Sequence, residues 1–193
     1  MQRSDIIQAA AQIFRHKGYH GTSMQDIADS VQLQKASLYH HVSSKQEILL
    51  SILDKALEGL IEDLEQIVVG QLPADQKLRK AIQSYIERMM KDADLAAVLL
   101  LEYRSLEPEQ RHNHVTRRDR YESLWRRILT EGVRTGFFRE LDISVSTFAL
   151  LGVQNWTITW FHEHGRLSAT ELADLYCDLF LSGIRNEQND TND

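Results

Sequence analysis

Residues 18–49 read GYHGTSMQDIADSVQLQKASLYHHVSSKQEIL, and their pattern is the clearest indication of the fold class. Its apolar residues recur at three- and four-residue steps, which is the periodicity of amphipathic helices. Thr22 and Ser23 offer caps for one short helix, and a second short helix is predicted from about Gln34 to His40. Two short helices joined by a tight turn form a helix-turn-helix unit, so the sequence predicts this unit near the N-terminus.

Helical periodicity extends from this stretch in both directions. A helix precedes it and ends at Gly18, and a long helix follows it from a capping box of Ser44 and Glu47 to about Val69. Further helices continue to about Ile184, and no segment has the strict alternation of a strand. The sequence therefore predicts an all-α fold of about nine helices, with three short helices at its N-terminus.

The charge of the chain is divided unevenly. The net charge is −6, but residues 1–50 hold five Lys and Arg against four Asp and Glu, while the remainder holds 17 against 24. An approximately neutral N-terminal part can still bind phosphates if its few cations face one way. The composition therefore permits nucleic-acid binding by the N-terminal part without demonstrating it.

No segment of the sequence indicates export or a membrane span. The first ten residues lack the apolar core of a signal peptide, and the longest apolar run, 95–101, is too short to cross a bilayer. The single cysteine, Cys177, cannot form an internal disulfide, which suits a reducing compartment, and its apolar neighbours predict a buried structural thiol. We expect a cytoplasmic protein without a membrane partner.

The second helix of the predicted unit carries side chains that suit contact with DNA. Groups that suit base edges are Gln34, Lys35, Ser37 and His40. Tyr39 and His41 suit phosphate oxygens, and Lys45 lies in the first turn of the next helix, where free backbone N–H groups also favour a phosphate. Considered singly, each of these residues is an ordinary surface residue, so the interpretation depends on their joint order and spacing.

Residues 4–53 closely resemble the DNA-binding segment of TetR-type regulators. The family pattern is a Gly-aromatic pair, a Thr, an Ile-Ala pair, Leu-Tyr-x-His, and Ser-Lys before a long linking helix. Here the pattern is carried by Gly18, Tyr19, Thr22, Ile27, Ala28, Leu38, Tyr39, His41, Ser44 and Lys45. The resemblance implies that double-stranded operator DNA is a partner of this chain.

The resemblance also implies roles for individual residues. Residues matched to the family's contacts with the DNA backbone are Thr22, Tyr39, His41 and Lys45. Residues matched to positions at or near the bases are Gln25, Lys35, Ala36, Ser37 and His40. The chain departs from the pattern at Gln32, where the family usually has Gly in the turn, at Gln34 instead of a Ser cap, and at Ala36 instead of Gly. These departures concern the turn geometry and the half-site preference.

The family resemblance implies a homodimer formed by the last two helices. The last helix has a regular apolar stripe, and the helix before it is apolar on two faces, one for its own domain and one for a partner. The stripe consists of Leu172, Leu175, Tyr176, Leu179, Phe180, Gly183 and Ile184. The alternative is that both are core helices of a monomer. On the dimer interpretation, 1–50 is the DNA-binding domain, 51–186 the ligand-binding and dimerisation domain, and 187–193 a disordered tail.

The C-terminal part also predicts a pocket for a small-molecule effector. Its predicted apolar and aromatic lining is Leu60, Leu64, Tyr85, Met89, Leu99, Tyr103, Tyr121, Trp125, Trp156 and Trp160. Each of these residues could instead be simple core. The basic segment Arg111–Arg120 lies inside an otherwise acidic part, and its Arg117 and Arg118 are candidates for binding an anionic group. The ordinary interpretation of the segment is a solvated helix face that pairs with nearby acids.

The C-terminal sequence is similar to TetR-type regulators of fatty-acid, steroid or aromatic-acid breakdown, several of which respond to acyl-CoA thioesters. The stretches that carry this similarity are EYRSLEPEQR, YESLWRRILTEG, NWTITWF and GRLSATELADLYCDLFLSGI. An apolar pocket beside an arginine cluster would suit an acyl chain and a phosphorylated carrier. The resemblance therefore implies a repressor that is released from its operator by a hydrophobic or acyl-CoA-type effector.

An enzyme and a ligand carrier that does not bind DNA are the alternative classes of function. An enzyme is not expected, because the chain has no Gly-x-Ser-x-Gly, phosphate loop or His-Glu-x-x-His motif, and His162 and His164 are two apart on different helix faces. We expect no metal site and no cofactor. A helical ligand carrier that does not bind DNA differs from the regulator only by lacking the function of the N-terminal motif. A TetR-type activator is a further alternative.

Overall fold

The computed structural model describes residues 2–162 and 164–185. These ranges contain nine α-helices and a 3-10 turn at Tyr103–Ser105, and no strand beyond an isolated antiparallel bridge between Phe138 and Arg185. The helices are α1 (Arg3–Lys17), α2 (Met24–Ser30), α3 (Lys35–Leu38), α4 (Lys45–Val69), α5 (Ala74–Lys91), α6 (Ala93–Leu101), α7 (Pro108–Arg134), α8 (Ile143–Trp160) and α9 (Ala169–Ile184). The predicted all-α fold is confirmed, while the predicted disordered tail lies outside the described residues.

The described residues form two compact units. The first unit contains residues 2–59 and 92–118, and the second contains 60–91 and 119–185. The sequence-based division at residue 50 placed 92–118 with the C-terminal part, whereas the contacts group this range with the N-terminal helices. Both α4 and α7 supply residues to each unit.

The core of the first unit is organised by α1. Its residues Ile6, Ala10 and Phe14 are almost fully buried, as the helical periodicity predicts, and α1 packs against α2 and α6. Arg15 on α1 forms an ion pair with Asp94 on α6 at 3.0 Å. The helix ends at Gly18, whose φ of 74° lies in the region that favours glycine.

The turn between α2 and α3 sets the geometry of the helix-turn-helix. Ser23 and Asp26 form a capping box at the start of α2, so the predicted cap is confirmed. Gln32 has a φ of 55°, which is the left-handed conformation that the missing glycine of the family pattern would have adopted without strain. The helix α3 ends at Leu38, two residues earlier than predicted, and Leu38 is fully buried.

The second unit is built on α5, α7, α8 and α9. The helix α5 packs mainly against α9 and also against α8. Gly132 on α7 leaves room for the ring of Phe138, because a Cβ at this position would lie only 2.0 Å from a ring carbon. The buried ammonium of Lys77 donates to the Val68 carbonyl at 3.1 Å and to Glu131 at 2.9 Å, so this charge is paired inside the unit.

Helix ends from α7 onward follow the sequence signals closely. Ser168 and Glu171 form the predicted capping box of α9, and Pro108 is the first residue of α7. The helix α8 ends at Trp160, earlier than the predicted end at His162. Within the described residues, none of the helices combines the length and apolar character needed to cross a membrane.

Candidate functional site

The helix α3 carries three of the residues predicted to contact DNA, Lys35, Ala36 and Ser37, and His40 follows the end of the helix. Lys35, Ala36 and His40 are exposed, Ser37 is half-buried, and no described residue pairs with the Lys35 ammonium in an ion pair. Buried Leu38 anchors this short helix from below, which fixes which side chains point outward. The free donors and acceptors on this side suit hydrogen bonds to base edges.

The predicted phosphate contacts that follow α3 are also exposed. The ring of Tyr39 is 47% exposed although it is large and apolar in part, and His41 is exposed beside it. A tyrosine hydroxyl and an imidazole N–H both donate hydrogen bonds to phosphate oxygens. Tyr39 and His41 are therefore both accessible directly after the end of α3.

Two of the predicted phosphate contacts are used inside the protein. Thr22 is buried, and its hydroxyl donates to the Gly18 carbonyl at 2.8 Å. The ammonium of Lys45 donates to the carbonyls of Tyr19 and Thr22 at 2.8 and 2.6 Å. Lys45 also lies 4.3 Å from the centroid of the Tyr19 ring. Lys45 therefore ties the start of α4 to the loop between α1 and α2, and only one of its three donors is left for DNA.

Gln25 on α2 is exposed, and its side-chain amide donates to Asp29 at 2.7 Å. A base contact by Gln25 would have to coexist with this bond or replace it. Asp26 on the same helix is paired with Lys17 at 2.7 Å, and this hydrogen bond together with those from Ser23 lowers the pKa of Asp26 well below its usual range. The pairing neutralises an acid that would otherwise repel phosphates.

Two residues that hold the loop between α1 and α2 were not predicted from the sequence. The carboxylate of Glu102 accepts a hydrogen bond from the Tyr19 backbone N–H at 3.1 Å, and the Ser105 hydroxyl lies 3.3 Å from His20 Nε2, within hydrogen-bond distance. Glu102 and Ser105 are far from the loop in sequence and follow no local motif. Only the packing of α6 against α1 brings them there.

Five of the residues predicted to line the effector pocket meet in the second unit. Leu64, Tyr121 and Trp125 line a cavity of about 10 Å³ together with Leu60 and Tyr85. Burial raises the pKa of both Tyr85 and Tyr121, as expected for phenols in apolar surroundings. A cavity of this volume holds about one water molecule. The walls of the predicted pocket are therefore present in the second unit, but the space between them is closed.

The remaining predicted aromatic contacts are placed differently. Met89 is buried on α5 but is not among the residues that line the cavity. Trp156 is 67% exposed and Trp160 is also exposed, so α8 presents both rings outward and not toward the cavity. Tyr103 belongs to the first unit, where it is half-buried.

The basic segment Arg111–Arg120 is partly neutralised. Arg117 pairs with Asp54 and Glu58 on α4, and Arg120 pairs with Glu65 at 2.6 Å. The solvated-face interpretation thus describes these two arginines well. Arg118 differs, because its guanidinium lies 4.6 Å from the centroid of the Tyr103 ring and forms no ion pair with a described residue.

A second cation lies near the Tyr103 ring. The guanidinium of Arg104 lies 5.7 Å from the ring centroid and donates to the phenol oxygen at 3.2 Å. Hydrogen bonds from Arg104 and then Arg118 lower the pKa of Tyr103. Two guanidinium groups without a carboxylate partner among the described residues therefore share one aromatic ring, which is an arrangement that suits an anion.

The last two helices leave an apolar surface uncovered. We call this surface the exposed apolar strip, and Leu179 on it is 63% exposed. The strip consists of Val145, Phe148, Val153, Trp156, Trp160, Leu175 and Leu179. Gly152 and Gly183 add open backbone, since a Cβ at either position would meet no atom within 4 Å. An uncovered surface with so many large apolar side chains is typical of an interaction site.

Comparison with protein families matches both parts of the chain. Residues 6–52 match the family described as "Bacterial regulatory proteins, tetR family". Residues 71–184 match the family described as "Tetracyclin repressor-like, C-terminal domain". Together the two matches cover the helix-turn-helix and most of the C-terminal helices.

Individual relatives match over almost the whole length. The HTH-type transcriptional repressor KstR2 of Mycolicibacterium smegmatis is 29% identical over 192 residues, covering 98% of this chain and 93% of the relative. The fatty acid metabolism regulator protein of Bacillus subtilis is 28% identical over 186 residues, covering 94% and 95%. A crystal structure of AibR in complex with isovaleryl coenzyme A and operator DNA is 27% identical, with a TM-score of 0.85, and the match covers 93% of this chain and 97% of AibR.

Proposed function

Since the chain belongs to the TetR family of bacterial transcriptional regulators, we propose that it is a repressor that binds a palindromic operator as a homodimer. The proposal rests on the exposed polar side chains on α3 and directly after it. The helix α3 follows a turn in which Gln32 has the left-handed conformation. Lys35, Ser37 and His40 contact base edges, while Tyr39 and His41 hold phosphates. Ala36 and Gln25 lie beside these contacts, and Thr22 and Lys45 support them.

The homodimer forms through the exposed apolar strip of α8 and α9. Its apolar side chains would be buried against the same strip of a second copy, and such burial is the usual driving force of association. Two copies related by a two-fold axis would present two α3 helices to the two halves of a palindrome. The uncovered state of Trp156, Leu175 and Leu179 supports this assignment. On this proposal Trp156 and Trp160 contact the partner. The sequence had predicted both rings as effector contacts.

The effector is an acyl-CoA thioester that releases the repressor. Its phosphates are held in the first unit by Arg118 and Arg117 beside Tyr103. Of the hydrophobic contacts predicted from the sequence, Leu64, Tyr121 and Trp125 line the closed cavity of the second unit, whereas Trp156 and Trp160 face outward. The shared ring of Tyr103 with Arg104 and Arg118 supports the anionic contact. Arg117 already holds two carboxylates, so a phosphate at Arg117 requires an exchange of partners. The AibR complex with isovaleryl coenzyme A supports the effector class.

The test of DNA binding uses the DNA upstream of the chain's own gene. Fluorescence anisotropy should show tight binding to one palindrome and weak binding to a scrambled sequence. Tyr39→Phe and His41→Ala should weaken binding to both DNAs, because phosphate contacts carry no sequence information. A protein that binds both DNAs equally weakly in its unmodified form would be a helical carrier. In vitro transcription from the same promoter then separates repression from activation.

The test of the effector class is calorimetry with octanoyl-CoA, octanoic acid and CoA. Arg118→Met should weaken the binding of octanoyl-CoA and leave the binding of octanoic acid almost unchanged, because only the thioester carries phosphates. Arg111→Met is the matched control, since Arg111 is an exposed arginine on the same helix without a contact to Tyr103. If octanoic acid binds as tightly as its thioester, the phosphate contact is wrong and the basic segment is a solvated face.

A further inference from the structure

His114 is buried and unpaired in the first unit. His114 is 1% exposed, and neither its Nδ1 nor its Nε2 has a hydrogen-bond partner among the described residues. A neutral imidazole carries one donor and one acceptor, and leaving both unpaired away from water costs free energy. The large majority of buried side-chain polar atoms in proteins have a partner, so this imidazole requires an explanation.

A second unpaired group lies one helical turn away. Gln110 precedes His114 by four residues on α7, and its buried Oε1 also has no partner in the described residues. Side chains four residues apart lie on the same side of a helix, with about 5–6 Å between their Cβ atoms. Arg118 continues this row by four more residues. We call Gln110, His114 and Arg118 the α7 polar row.

The surroundings of the α7 polar row keep the imidazole neutral. Burial, followed by the charges of Arg118 and Arg117, lowers the pKa of His114 to about 4. The ring of Tyr103 stacks on the imidazole with centroids 6.2 Å apart, so the phenol covers one of its sides without bonding to a ring nitrogen. The row therefore offers a buried N–H donor, and the guanidinium of Arg118 is the next donor along it.

We infer that His114 is the polar anchor for the acyl carbonyl oxygen of the effector. A carbonyl oxygen accepts hydrogen bonds and donates none, so it matches an imidazole N–H and not a second buried acceptor. Arg118 and Arg104, which share the Tyr103 ring, lie at the end of the row where an anionic part of the same molecule would bind. This assignment rests on the proposed effector class and names the residue that recognises its reactive group.

A buried polar group that is kept for a ligand has a recognisable signature. Replacing it with an apolar residue of similar size removes an unpaired group, so the fold should become no less stable while ligand recognition is lost. A histidine with a purely structural role gives the opposite result, because the fold would lose bonds and recognition would not change. The two roles are therefore separable by measuring stability and binding on the same variant.

The experiment compares two CoA compounds that differ only in the carbonyl group. Octanoyl-CoA has a thioester, and S-octyl-CoA has a CH₂ group in place of the carbonyl. The unmodified protein should bind octanoyl-CoA about 5- to 100-fold more tightly, which is the range for leaving one buried donor unpaired. His114→Phe should bind the two compounds equally, and its unliganded melting temperature should equal or exceed that of the unmodified protein.

Two further variants make the result specific. His114→Gln retains a donor and an acceptor and should restore part of the preference for octanoyl-CoA. Gln154→Met is the matched control, because Gln154 is equally buried, carries an unpaired Oε1 and belongs to the second unit. This control should retain the full preference of the unmodified protein.

Each failure has a distinct pattern. If His114→Phe keeps the preference for octanoyl-CoA, His114 is not the anchor, and a buried water is its partner. If octanoic acid binds as well as octanoyl-CoA and both depend on His114, the anchor is correct and the source of the carbonyl is a free acid. If the unmodified protein binds none of the three compounds but still binds its operator, the proposed effector class is wrong and this inference fails with it.

Discussion

Lys45 shows how one side chain can serve both the fold and a proposed DNA contact. Two of its three ammonium donors hold the carbonyls of Tyr19 and Thr22, and the family pattern places the same residue at a phosphate. The sequence alone predicts only the second role, because a loop carbonyl carries no sequence signature. At this residue, affinity for DNA and stability of the fold are therefore connected.

We predict that Lys45→Met destabilises the protein as well as weakening DNA binding. Hydrogen bonds that involve a charged group contribute about 1.5–3 kcal/mol, so the free energy of unfolding should fall by an amount in or below this range. Lys35→Met is the matched control, since Lys35 is exposed and unpaired with any described residue. It should change the discrimination among operator variants by about 1–3 kcal/mol without changing stability. Urea denaturation and operator titration of both variants check this, and a fully stable Lys45→Met would show that the two bonds contribute nothing.

His114 predicts a pH dependence with a definite sign. Its pKa in the folded protein is lowered to about 4 from an ordinary value of 6.5, so the unfolded chain binds the proton first as the pH falls. Stability from this residue is therefore fully present above about pH 6.5 and is lost between pH 6.5 and 4. The charged and titratable groups near it are Tyr103, Arg117 and Arg118, with Asp54 and Glu58 paired to Arg117.

The check is a comparison of unfolding free energies between pH 7.5 and 4.5. The unmodified protein should lose more stability over this range than His114→Phe, which has no proton to bind at this position. Parallel curves for the two proteins would mean that the imidazole titrates normally and is reached by solvent. The carboxylates contribute to both curves equally, so they cancel in the difference.

At the scale of the helices, capping signals were the most reliable part of the sequence. Ser23 and Ser168 cap α2 and α9 as predicted, because a cap depends only on residues within one turn. The end of α3 was predicted less well, since a helix of four residues has almost no periodicity to measure. Gln32 takes the left-handed conformation despite its side chain, which shows that the packing of α2 and α3 outweighs the local preference.

The predicted pocket illustrates what periodicity cannot separate. Trp125 and Trp156 are both aromatic residues at apolar positions of long helices, yet Trp125 is buried and Trp156 is largely exposed. A helix that is apolar all round must be covered on each side, but the sequence does not state by which element. The fold was therefore predictable from local patterns, whereas the assignment of each ring to core, ligand or partner requires the structure.

We predict that Leu175→Glu converts the proposed dimer to a monomer. Leu175 lies on the exposed apolar strip, and burying an unpaired carboxylate against a second copy costs several kcal/mol. Sedimentation at micromolar concentration should show the monomer, and operator binding should be lost because both half-sites must be held together. Thr170→Glu adds the same charge on the same helix outside the strip and should remain dimeric. A Leu175→Glu protein that sediments as a dimer would place the interface elsewhere.

At the scale of the whole molecule, the uneven charge of the sequence acquires a physical meaning. The acidic C-terminal part neutralises many of its own arginines, as the pairs of Arg79, Arg88 and Arg120 show. Arg118 and Arg104 are exceptions among the described residues, since each contacts the Tyr103 ring and neither forms an ion pair. Net charge could not reveal these exceptions, because it does not distinguish a paired guanidinium from an unpaired one.

The proposed repressor function requires that effector and operator compete through the conformation of the protein. An effector that bound the DNA-competent and DNA-incompetent conformations equally would release nothing, however tight its binding. We propose that this competition acts through α4, because the helix begins at Lys45 in the first unit and ends at Val69 in the second. Leu64 on α4 also lines the cavity. The effector must therefore favour a conformation of α4 that DNA binding disfavours.

We predict that octanoyl-CoA lowers operator affinity and that operator lowers octanoyl-CoA affinity by the same factor. Linkage requires the two factors to be equal, and coupling between sites is typically 1–3 kcal/mol, or about 5- to 150-fold. Anisotropy measures the first factor at saturating octanoyl-CoA, and calorimetry measures the second at saturating operator, both at one salt concentration because DNA affinity depends on salt. In His114→Phe the two factors should again equal each other, because linkage holds for any variant. Equal affinity of octanoyl-CoA for the free and the operator-bound protein would leave its binding without a regulatory consequence, and the release mechanism would be wrong.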